Sequence, residues 1–370
     1  MTTERNSALP GAERRLLLRA ALLDGDTGRE AYAEWRRHHD PTDLEPVSYR
    51  LLPLLYRNLE RLGVEAPERA RLQGVYRHAW YANQRLLHAA GPGLRLLAGA
   101  GIPVVLLKGA ALVATSTGGD VGVRPMEDVD VLVPAADAVR AHDALVAGGW
   151  HWYEPEPPED ARRRKQSSPY VPESGTQLDL HWRPLWEPGS TGTLWEAVVP
   201  ATLAGAEVLV PSRAHQLVVT AAHGVGWHPS PLRWIADCAL LLRGIDEAGW
   251  DELVAAARAA RMGGTVAAAL DVVGDVLDLE LPAGTMQALR SQRGGPVERV
   301  ALGSKVRGPG PGAGYLASLE YAVRSRRADD TGRIGAVEHL LLCDGGTRRE
   351  IAARLVRRTG ELAGARLRRS

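Results

Sequence analysis

The stretch Arg124-Pro125-Met126-Glu127-Asp128-Val129-Asp130-Val131-Leu132-Val133 carries most of the information in this chain. It places two carboxylates two residues apart, directly before a short apolar run that predicts a buried strand. Because side chains alternate across a strand, Asp128 and Asp130 point to the same face, with Cα atoms roughly 7 Å apart. Two anionic groups beside buried apolar residues are costly unless a positive charge compensates them. A divalent metal is the obvious candidate, since such carboxylate pairs hold the metal ions of phosphoryl and nucleotidyl transfer.

Composition limits the class of protein. A chain of 370 residues with 45% hydrophobic residues suits two or three globular domains, and a net charge of +1 does not indicate a nucleic-acid protein. Cys238 and Cys343 are interpreted as buried thiols in a reducing compartment. The N-terminus lacks a signal pattern, and no apolar run reaches the roughly 18 residues of a membrane span. We therefore expect a soluble, cytoplasmic protein with no membrane partner.

The N-terminal part reads as helical. Apolar positions three and four residues apart predict helices from about residue 11 to residue 90. A further helix is predicted over 86–100, with Gly91-Pro92-Gly93 expected to kink or break it. We assign residues 1–85 to an N-terminal helical region.

The pattern then changes to that of a sheet domain over residues 86–210. The apolar run 102–107 predicts a strand covered on both faces, and the carboxylate segment 128–133 predicts a second strand. A helix is expected over 135–147, and residues 154–170 are expected to form a mobile loop. The other predicted strands are 150–153, 176–182 and 206–210.

The remaining residues, 211–370, are expected to form a C-terminal helical domain. Helices are predicted over 212–224, 231–243, 249–260 and 265–279, and the glycine-rich segment 303–313 is expected to be a flexible connection. The fold class is therefore α+β, with a small mixed sheet between two helical regions.

Two further pieces of the sheet domain could join the carboxylate pair. Lys108-Gly109 lies where a strand passes into a helix, a place where backbone N–H groups attract phosphate. Asp179 shares a strand face with His181, and three carboxylates from two neighbouring strands would suit a two-metal site. Each piece also has a structural interpretation: turn chemistry after Pro125, an ordinary strand-to-helix glycine, or the exposed face of an edge strand.

These residues resemble a known family. Leu107-Lys108-Gly109-Ala110, then Arg124-Pro125-Met126 with Asp128 and Asp130, then Leu178-Asp179-Leu180-His181-Trp182, are similar to the uncharacterised nucleotidyltransferase family of the polymerase-beta-like superfamily. His223 and Arg233-Trp234-Ile235-Ala236-Asp237 resemble the helical part of that family. The resemblance extends from the N-terminal helices to about residue 260.

The resemblance implies a polymerase-beta-like sheet with Asp128, Asp130 and Asp179 as catalytic metal ligands. It also implies two Mg²⁺ ions, which Mn²⁺ could replace, and a nucleoside triphosphate such as ATP as substrate. Lys108, Gly109, Arg124 and His181 would bind the nucleotide. One position departs from the superfamily, because Ala110 stands where a serine usually contacts the terminal phosphate.

The acceptor side is less determined by the sequence. His223, Arg233 and Asp237 would line it, although Arg233 and Asp237 could equally form an intrahelical ion pair, and Arg124 could pair with Glu127 or Asp128. His215 and His223 are both more typical of satisfied helix histidines than of ligands. The basic run 162–165 is either a solvated loop or a lid over the site.

The sequence thus predicts transfer of a nucleoside monophosphate to an unidentified hydroxyl or phosphate acceptor, with release of pyrophosphate. The acceptor could be a small molecule, a sugar, a peptide or a protein. The basic runs lack the interleaved aromatic residues of a nucleic-acid platform, which argues against a nucleic-acid partner. Alternatives are a non-catalytic nucleotide- or partner-binding module and a metal-dependent phosphohydrolase. The oligomeric state is not predicted.

Overall fold

The computed structural model confirms an α+β protein. In its described parts the chain forms fourteen α-helices and one seven-stranded mixed sheet. The helices lie mostly before and after the sheet segment, as the sequence predicts. The residues that the structure describes are 9–41, 43–152, 162, 165–172, 175, 177–226, 232–308, 310, 312–328, 335 and 339.

The N-terminal region consists of helices whose apolar faces meet in one core. Leu17, Leu55 and Trp35 are completely buried there, which follows from leucines spaced three and four residues apart. The helices are α1 Ala12–Leu22, α2 Gly25–His38, α3 Pro46–Tyr49, α4 Leu52–Leu62 and α5 Arg69–Gly99.

Helix α5 corrects one prediction, because it does not break at Gly91-Pro92-Gly93. A Cβ atom on Gly93 would lie 2.7 Å from the ring of Trp150, and one on Gly91 would lie 3.1 Å from the carbonyl of Ala204. These glycines therefore let the helix pack closely against the sheet, and this packing offsets the missing N–H of Pro92. The helix also runs without interruption across residues 85 and 86, so the proposed domain boundaries stay a prediction.

The sheet has the strand order β3-β4-β5-β2-β1-β7-β6. Strand β2 pairs in parallel with β5 and antiparallel with β1, and β1 in turn pairs in parallel with β7. The β3–β4, β4–β5 and β6–β7 pairs are antiparallel. The strands are β1 Val105–Leu106, β2 Asp128–Leu132, β3 Trp150–Trp152, β4 Ser167–Pro172, β5 Gln177–His181, β6 Val198–Leu203 and β7 Ala206–Pro211.

Strands β4 and β6 were not predicted, and β4 lies partly in the expected loop 154–170. Both contain proline, which argues against a strand because it cannot donate a hydrogen bond to its neighbour. Pro200 is tolerated because β6 is an edge strand, and Pro169 lies beyond the three residue pairs that join β4 to β3. The expected loop over 154–166 falls largely outside the described residues.

The two faces of the sheet have different partners. Val129 and Val131 of β2 pack in one core with Leu94 of α5 and Leu145 of the following helix. Leu132, on the opposite face, belongs to the core that the C-terminal helices share. Asp128 and Asp130 alternate with the valines and therefore face the C-terminal helices.

The remaining helices largely follow the predicted spans. The segment 303–313 is a correction, because residues up to Arg307 are helical, and only a short connection precedes Ala313. Helices α6 and α7 connect strands, and the later ones form the C-terminal region. They are α6 Lys108–Ser116, α7 Ala138–Ala147, α8 Arg213–Gly224, α9 Arg233–Leu242, α10 Glu247–Ala259, α11 Gly263–Leu277, α12 Ala283–Ser291, α13 Pro296–Arg307 and α14 Ala313–Ser325.

Two smaller expectations can be compared with the structure. Cys238 lies buried in α9 with a free thiol, and Cys343 is outside the described residues. None of the helices in the described part of the chain combines the length and the apolarity that crossing a bilayer would require.

Candidate active site

The site is built on two neighbouring parallel strands. Asp130 of β2 lies directly opposite Asp179 of β5 in the strand register. Directly opposed residues have their side chains on the same face of a sheet. The sequence expectation that Asp179 would reach the carboxylate segment if the strands were neighbours therefore matches the topology.

Lys108 supplies the nearest positive charge. It is the first residue of α6, and its ammonium Nζ lies 2.5 Å from Asp130 Oδ1. Its backbone φ of +46° is in the left-handed region that side chains other than glycine rarely adopt. A residue held in this strained conformation at a strand-to-helix turn is a feature that clusters at functional sites.

His181 connects the two aspartates. Its Nε2 lies 3.0 Å from Asp130 Oδ1 and 3.0 Å from Asp179 Oδ2. Its other ring nitrogen, Nδ1, lies 3.2 Å from the carbonyl oxygen of Arg183, to which it can donate a hydrogen bond. This second contact orients the ring and directs Nε2 at the carboxylates, as in histidines that ligate metals. We call Lys108, Asp130, Asp179 and His181 the sheet cluster.

The charges of the sheet cluster stabilise one another. Burial opposes ionisation of Asp130, but Lys108 and His181 outweigh it and hold the pKa of this carboxyl well below its usual range. Burial opposes ionisation of Asp179 too, and His181 lowers its pKa nevertheless. Burial and the Lys108 charge oppose protonation of His181, yet the two aspartates raise its pKa. Without a metal, the cluster is therefore an ion-paired network.

Asp128 stands slightly apart from this network. It is half-buried on the same face of β2, but it is outside the group of close metal-ligand atoms found among the described residues. Burial raises its pKa, and the neighbouring Asp130 and Asp179 charges raise it further. The charges of Asp130 and Asp179 thus act on the Asp128 carboxylate, which does not share their direct contacts.

Arg124 has a different partner from those that the sequence suggests. Its Nη2 donates to Asp237 Oδ2 over 2.9 Å, and its Nε lies 3.3 Å from each oxygen of the same carboxylate. Glu127 pairs instead with Arg50. The expected Arg124 pairs with Glu127 or Asp128 are therefore wrong.

Gly109 explains how Arg124 can lie so close to the turn. A Cβ atom at position 109 would lie 3.0 Å from Arg124 Nη1 and 2.9 Å from Met126 Sδ. The glycine thus gives room to the arginine, and its role in binding a nucleotide stays a prediction.

The predicted acceptor-side residues lie on α8 and α9. Arg233 is half-buried and forms no ion pair with described residues, so the expected intrahelical pair with Asp237 is not made. Burial and the neighbouring Arg124 lower the pKa of Arg233 to about 10. The surroundings of His223 and the Lys108 charge lower its pKa, although part of its side chain is accessible to solvent.

His215, by contrast, has a hydrogen-bond partner for each of its ring nitrogens. Ser212 Oγ lies 2.9 Å from its Nδ1, and Thr193 Oγ1 lies 3.0 Å from its Nε2. This agrees with the structural interpretation that the sequence favoured.

Two positioning residues were missed by sequence reasoning. Asn83 of α5 is completely buried, donates to the carbonyls of Val121 and Arg124, and accepts a hydrogen bond from Met126 N. It thereby fixes the segment that leads into β2. Ser167 of β4 donates to Asp179 Oδ2 over 3.0 Å. An asparagine among the apolar positions of α5 was the available signal for Asn83, and none marked Ser167.

The basic run 162–165 is only partly described. The carbonyl oxygens of Arg162 and Lys165 accept hydrogen bonds from the Arg183 guanidinium, at 3.3 Å and 2.7 Å. Residues 163 and 164 lie outside the described part of the chain. The lid function of this run stays a prediction.

The sheet cluster fits a divalent cation. Asp130, Asp179 and His181 each offer one ligand atom, and these atoms all lie within 4.8 Å of one another. Two carboxylate oxygens and an imidazole nitrogen form a donor set that suits Mn²⁺ or Zn²⁺ better than Mg²⁺, because imidazole is a softer ligand than a carboxylate oxygen. The identity of the ion is therefore not determined by the donor set.

Fold and site together define an α+β protein with a candidate metal centre on adjacent parallel strands. The sequence matches the family described as "Uncharacterised nucleotidyltransferase" over residues 47–278, and the chain belongs to that family. The matched segment begins at α3 and includes the whole sheet. A search of curated proteins finds no match.

Proposed function

We propose that this protein is a metal-dependent nucleotidyltransferase with a polymerase-beta-like catalytic sheet. It would transfer a nucleoside monophosphate from a nucleoside triphosphate, ATP among the candidates, to a hydroxyl or phosphate acceptor and release pyrophosphate. The observation that carries the proposal is the register of β2 and β5, which sets Asp130 opposite Asp179. His181 lies between the two carboxylates.

The proposed metal ligands are Asp130, Asp179 and His181, with Asp128 beside them. A divalent cation held there would neutralise phosphate charge and increase the electrophilicity of the α-phosphorus. Asp179 is the proposed acceptor of the proton from the attacking hydroxyl group. Ser167 supports this role, because its hydrogen bond fixes Asp179 Oδ2.

The proposed number of ions depends on whether Asp128 takes part. The three close ligands account for one ion, and a second Mg²⁺ or Mn²⁺ would need the Asp128 carboxylate. The effect of Asp130 and Asp179 on the pKa of Asp128 supports a shared site, since like charges this close favour a bridging cation. We therefore retain two ions in the proposal, with Asp128 as the ligand on which the second depends.

Lys108 has two successive roles in this proposal. In the metal-free protein it neutralises Asp130. When a cation takes over that task, the ammonium group becomes available for the triphosphate. This would substitute for the serine hydroxyl that Ala110 lacks. The side chain is 22% exposed and can therefore reach a bound ligand. Arg124 and His181 complete the proposed nucleotide-binding set.

The acceptor would approach from the side of α8 and α9. Arg233 supports this orientation because it is a half-buried cation without an ion pair among the described residues. The lowered pKa of His223 favours its neutral form at pH 7. Asp237 holds Arg124 and is therefore proposed as a positioning residue.

A second candidate function is a non-catalytic nucleotide-binding module. The observation that favours it is the internal neutralisation of Asp130 by Lys108 and His181, which satisfies the carboxylate without any metal. A binding module would take up the nucleotide with the same affinity whether or not divalent cations are present.

The deciding experiment combines product detection with metal counting. Purified protein is incubated with each NTP, Mg²⁺ and a panel of acceptors, and products are searched by mass spectrometry for a nucleotide-sized adduct. Mn²⁺ binding is counted by electron paramagnetic resonance. Asp179→Asn is expected to abolish the adduct and weaken Mn²⁺ binding, while Asp251→Asn, an exposed carboxylate on α10, changes neither.

Each outcome of this experiment is informative. Asp128→Asn is expected to reduce the Mn²⁺ count from two to one. Metal-independent NTP binding without any adduct would favour the non-catalytic module. Release of free nucleoside monophosphate with water as acceptor would indicate the phosphohydrolase instead. A cytoplasmic location and the identity of the acceptor stay predictions.

A further inference from the structure

The C-terminal helices enclose a second polar site that contains no residue of the sheet cluster. Two cavities of about 570 Å³ and 410 Å³ share a wall formed by Arg261, Gln292, Arg293, Gly294 and Glu298. They lie where the connection between α12 and α13 meets the turn between α10 and α11. We call both cavities together the arginine cleft. Most of its lining follows residue 278, where the family match ends.

The carboxylates of the arginine cleft are already bound within the protein. Asp271 pairs with Arg290, and Glu320 pairs with Lys305. Glu298 accepts hydrogen bonds from Arg261 Nη2, at 3.0 Å, and from the backbone N–H at the start of α13. These internal pairs leave no free carboxylate among the described lining residues to balance the remaining arginines.

Five exposed arginines of the cleft are therefore unbalanced. None of them forms an ion pair within the part of the chain that the structure describes, and the whole chain carries a net charge of only +1. This concentration of like charge on one surface is unfavourable unless an anion offsets it. The five residues are Arg258, Arg293, Arg299, Arg307 and Arg327.

Arg261 adds an independent indication of a ligand. It follows the C-terminal end of α10 by two residues with a backbone φ of +57°, a conformation that favours glycine just after a helix. Its Nη1 atom is buried and has no hydrogen-bond partner among the described residues. Strain in the backbone and an unsatisfied guanidinium nitrogen both cost stability, and an anion bound in the cleft would satisfy that nitrogen.

We propose that the arginine cleft binds a small molecule that carries two or more phosphate groups. Guanidinium groups match phosphate oxygens through paired hydrogen bonds, and several phosphates are needed to offset five positive charges. The cavity volumes are in the range of small-molecule sites. The described lining residues include no aromatic side chain on which the bases of a nucleic acid could stack, so a small phosphorylated ligand is favoured over a nucleic acid.

The test uses inorganic tripolyphosphate as the probe for the full chain. Calorimetry is carried out in EDTA and at physiological salt, so that metal-dependent binding at the sheet cluster does not contribute. The double variant Arg293→Gln/Arg327→Gln is expected to weaken binding at least about tenfold. The control Arg71→Gln/Arg77→Gln removes the same charge from exposed, unpaired positions on α5 and is expected to change affinity less than about twofold.

A second variant separates binding from folding. Arg261→Gly removes the guanidinium and installs the residue that the backbone favours, while Gly295 and Arg324 still contact Glu298, so we expect weaker tripolyphosphate binding with little change in the midpoint of thermal unfolding. All affinities are measured in EDTA, without the divalent cation that the proposed transferase requires. The proposal on the cleft can therefore fail or hold independently of the proposed transferase.

Three results would overturn the proposal. Tripolyphosphate could fail to bind, or both double variants could lose affinity equally, which would indicate nonspecific attraction by net charge. An oligonucleotide could instead bind more tightly than tripolyphosphate through the same arginines, and the cleft would then be a nucleic-acid surface.

Discussion

Two clusters in this protein are built from nearly the same groups and differ in their accessibility. The sheet cluster holds two carboxylates, a lysine and a histidine. A second cluster, the C-terminal cluster, holds Glu187, Glu320 and Lys305, with Lys305 Nζ 2.6 Å from Glu187 and 3.0 Å from Glu320. No side chain of the C-terminal cluster is more than 7% exposed, whereas Lys108 is 22% and Asp179 is 16% exposed.

The difference shows that a concentration of buried charge does not by itself define a functional site. In the C-terminal cluster the ammonium group lies between two carboxylates, and all three side chains are almost fully buried, which is typical of a structural ion pair. In the sheet cluster the lysine has a strained backbone and is partly exposed, and the imidazole is one of three close groups that could hold a metal ion. Accessibility therefore separates the two.

The largest expected effect is on catalysis. Asp130→Asn should reduce the rate of pyrophosphate release at least about 10³-fold, because a carboxylate that holds the catalytic cation is lost. Glu187→Gln makes the same chemical change in the C-terminal cluster and should leave the rate within a few-fold of wild type. Steady-state kinetics with circular dichroism as the folding control measures both. Equal losses in the two variants would remove the distinction between the clusters.

Loss of the lysine should reduce stability more in the C-terminal cluster than in the sheet cluster, which is the reverse of the order expected for catalysis. Lys305→Met removes the ammonium group that lies between two buried carboxylates and should lower the free energy of unfolding by about 3–5 kcal/mol. Lys108→Met should cost less than about half as much, since His181 still contacts Asp130 and the site admits water. Urea denaturation with EDTA present measures this. A larger loss for Lys108→Met would mean that the sheet cluster is the more structural of the two.

Divalent cations should stabilise the protein through one cluster only. At a concentration of about 100 times the dissociation constant, Mn²⁺ should add about 2.7 kcal/mol to the free energy of unfolding of metal-depleted protein. The gain should persist in Glu187→Gln and disappear in Asp179→Asn. Thermal unfolding with and without Mn²⁺ measures it. A gain that survives in Asp179→Asn would place the ion elsewhere.

The smallest expected effect is on the loss of stability at acidic pH. Asp130 and Asp179 both have lowered pKa values, so their stabilising contribution is present above about pH 4 and is lost as the pH falls. In the C-terminal cluster, burial opposes ionisation of both carboxyls, but Lys305 lowers the pKa of Glu187, whereas that of Glu320 remains raised. Their contributions have opposite signs and offset each other.

The acid prediction can be measured by urea denaturation between pH 6 and pH 3 in EDTA. Asp130→Asn/Asp179→Asn should flatten the pH dependence of the unfolding free energy more than Glu187→Gln/Glu320→Gln does. The opposite order would show that the C-terminal cluster carries the acid sensitivity.

The sheet part of the site was largely predictable from local pattern. The alternation of side chains in β2 placed Asp128 and Asp130 on a common face. The alternating pattern around Asp179 suggested a second strand that could lie beside β2. The local pattern could not predict which residues distant in sequence form ion pairs. Arg124 pairs with Asp237, 113 residues away, and nothing in either segment distinguishes this pair from Arg124 with Glu127.

Other features were hidden because local propensity was overridden. Prolines concealed two strands: Pro200 is tolerated because β6 is an edge strand, and Pro169 because it lies beyond the residues of β4 that pair with β3. The left-handed backbone of Lys108 could not be inferred, because that conformation is unfavourable for lysine and exists only where surrounding contacts impose it.

Helix α5 has a practical consequence for work on this protein. It carries Asn83, which holds the segment that leads into β2, and Leu94, which packs in the core on one face of the sheet. A truncated protein that starts at residue 86 would lose the first and destabilise the second. Any minimal fragment intended for crystallisation or ligand screening should therefore begin ahead of Arg69, so that the whole helix is retained.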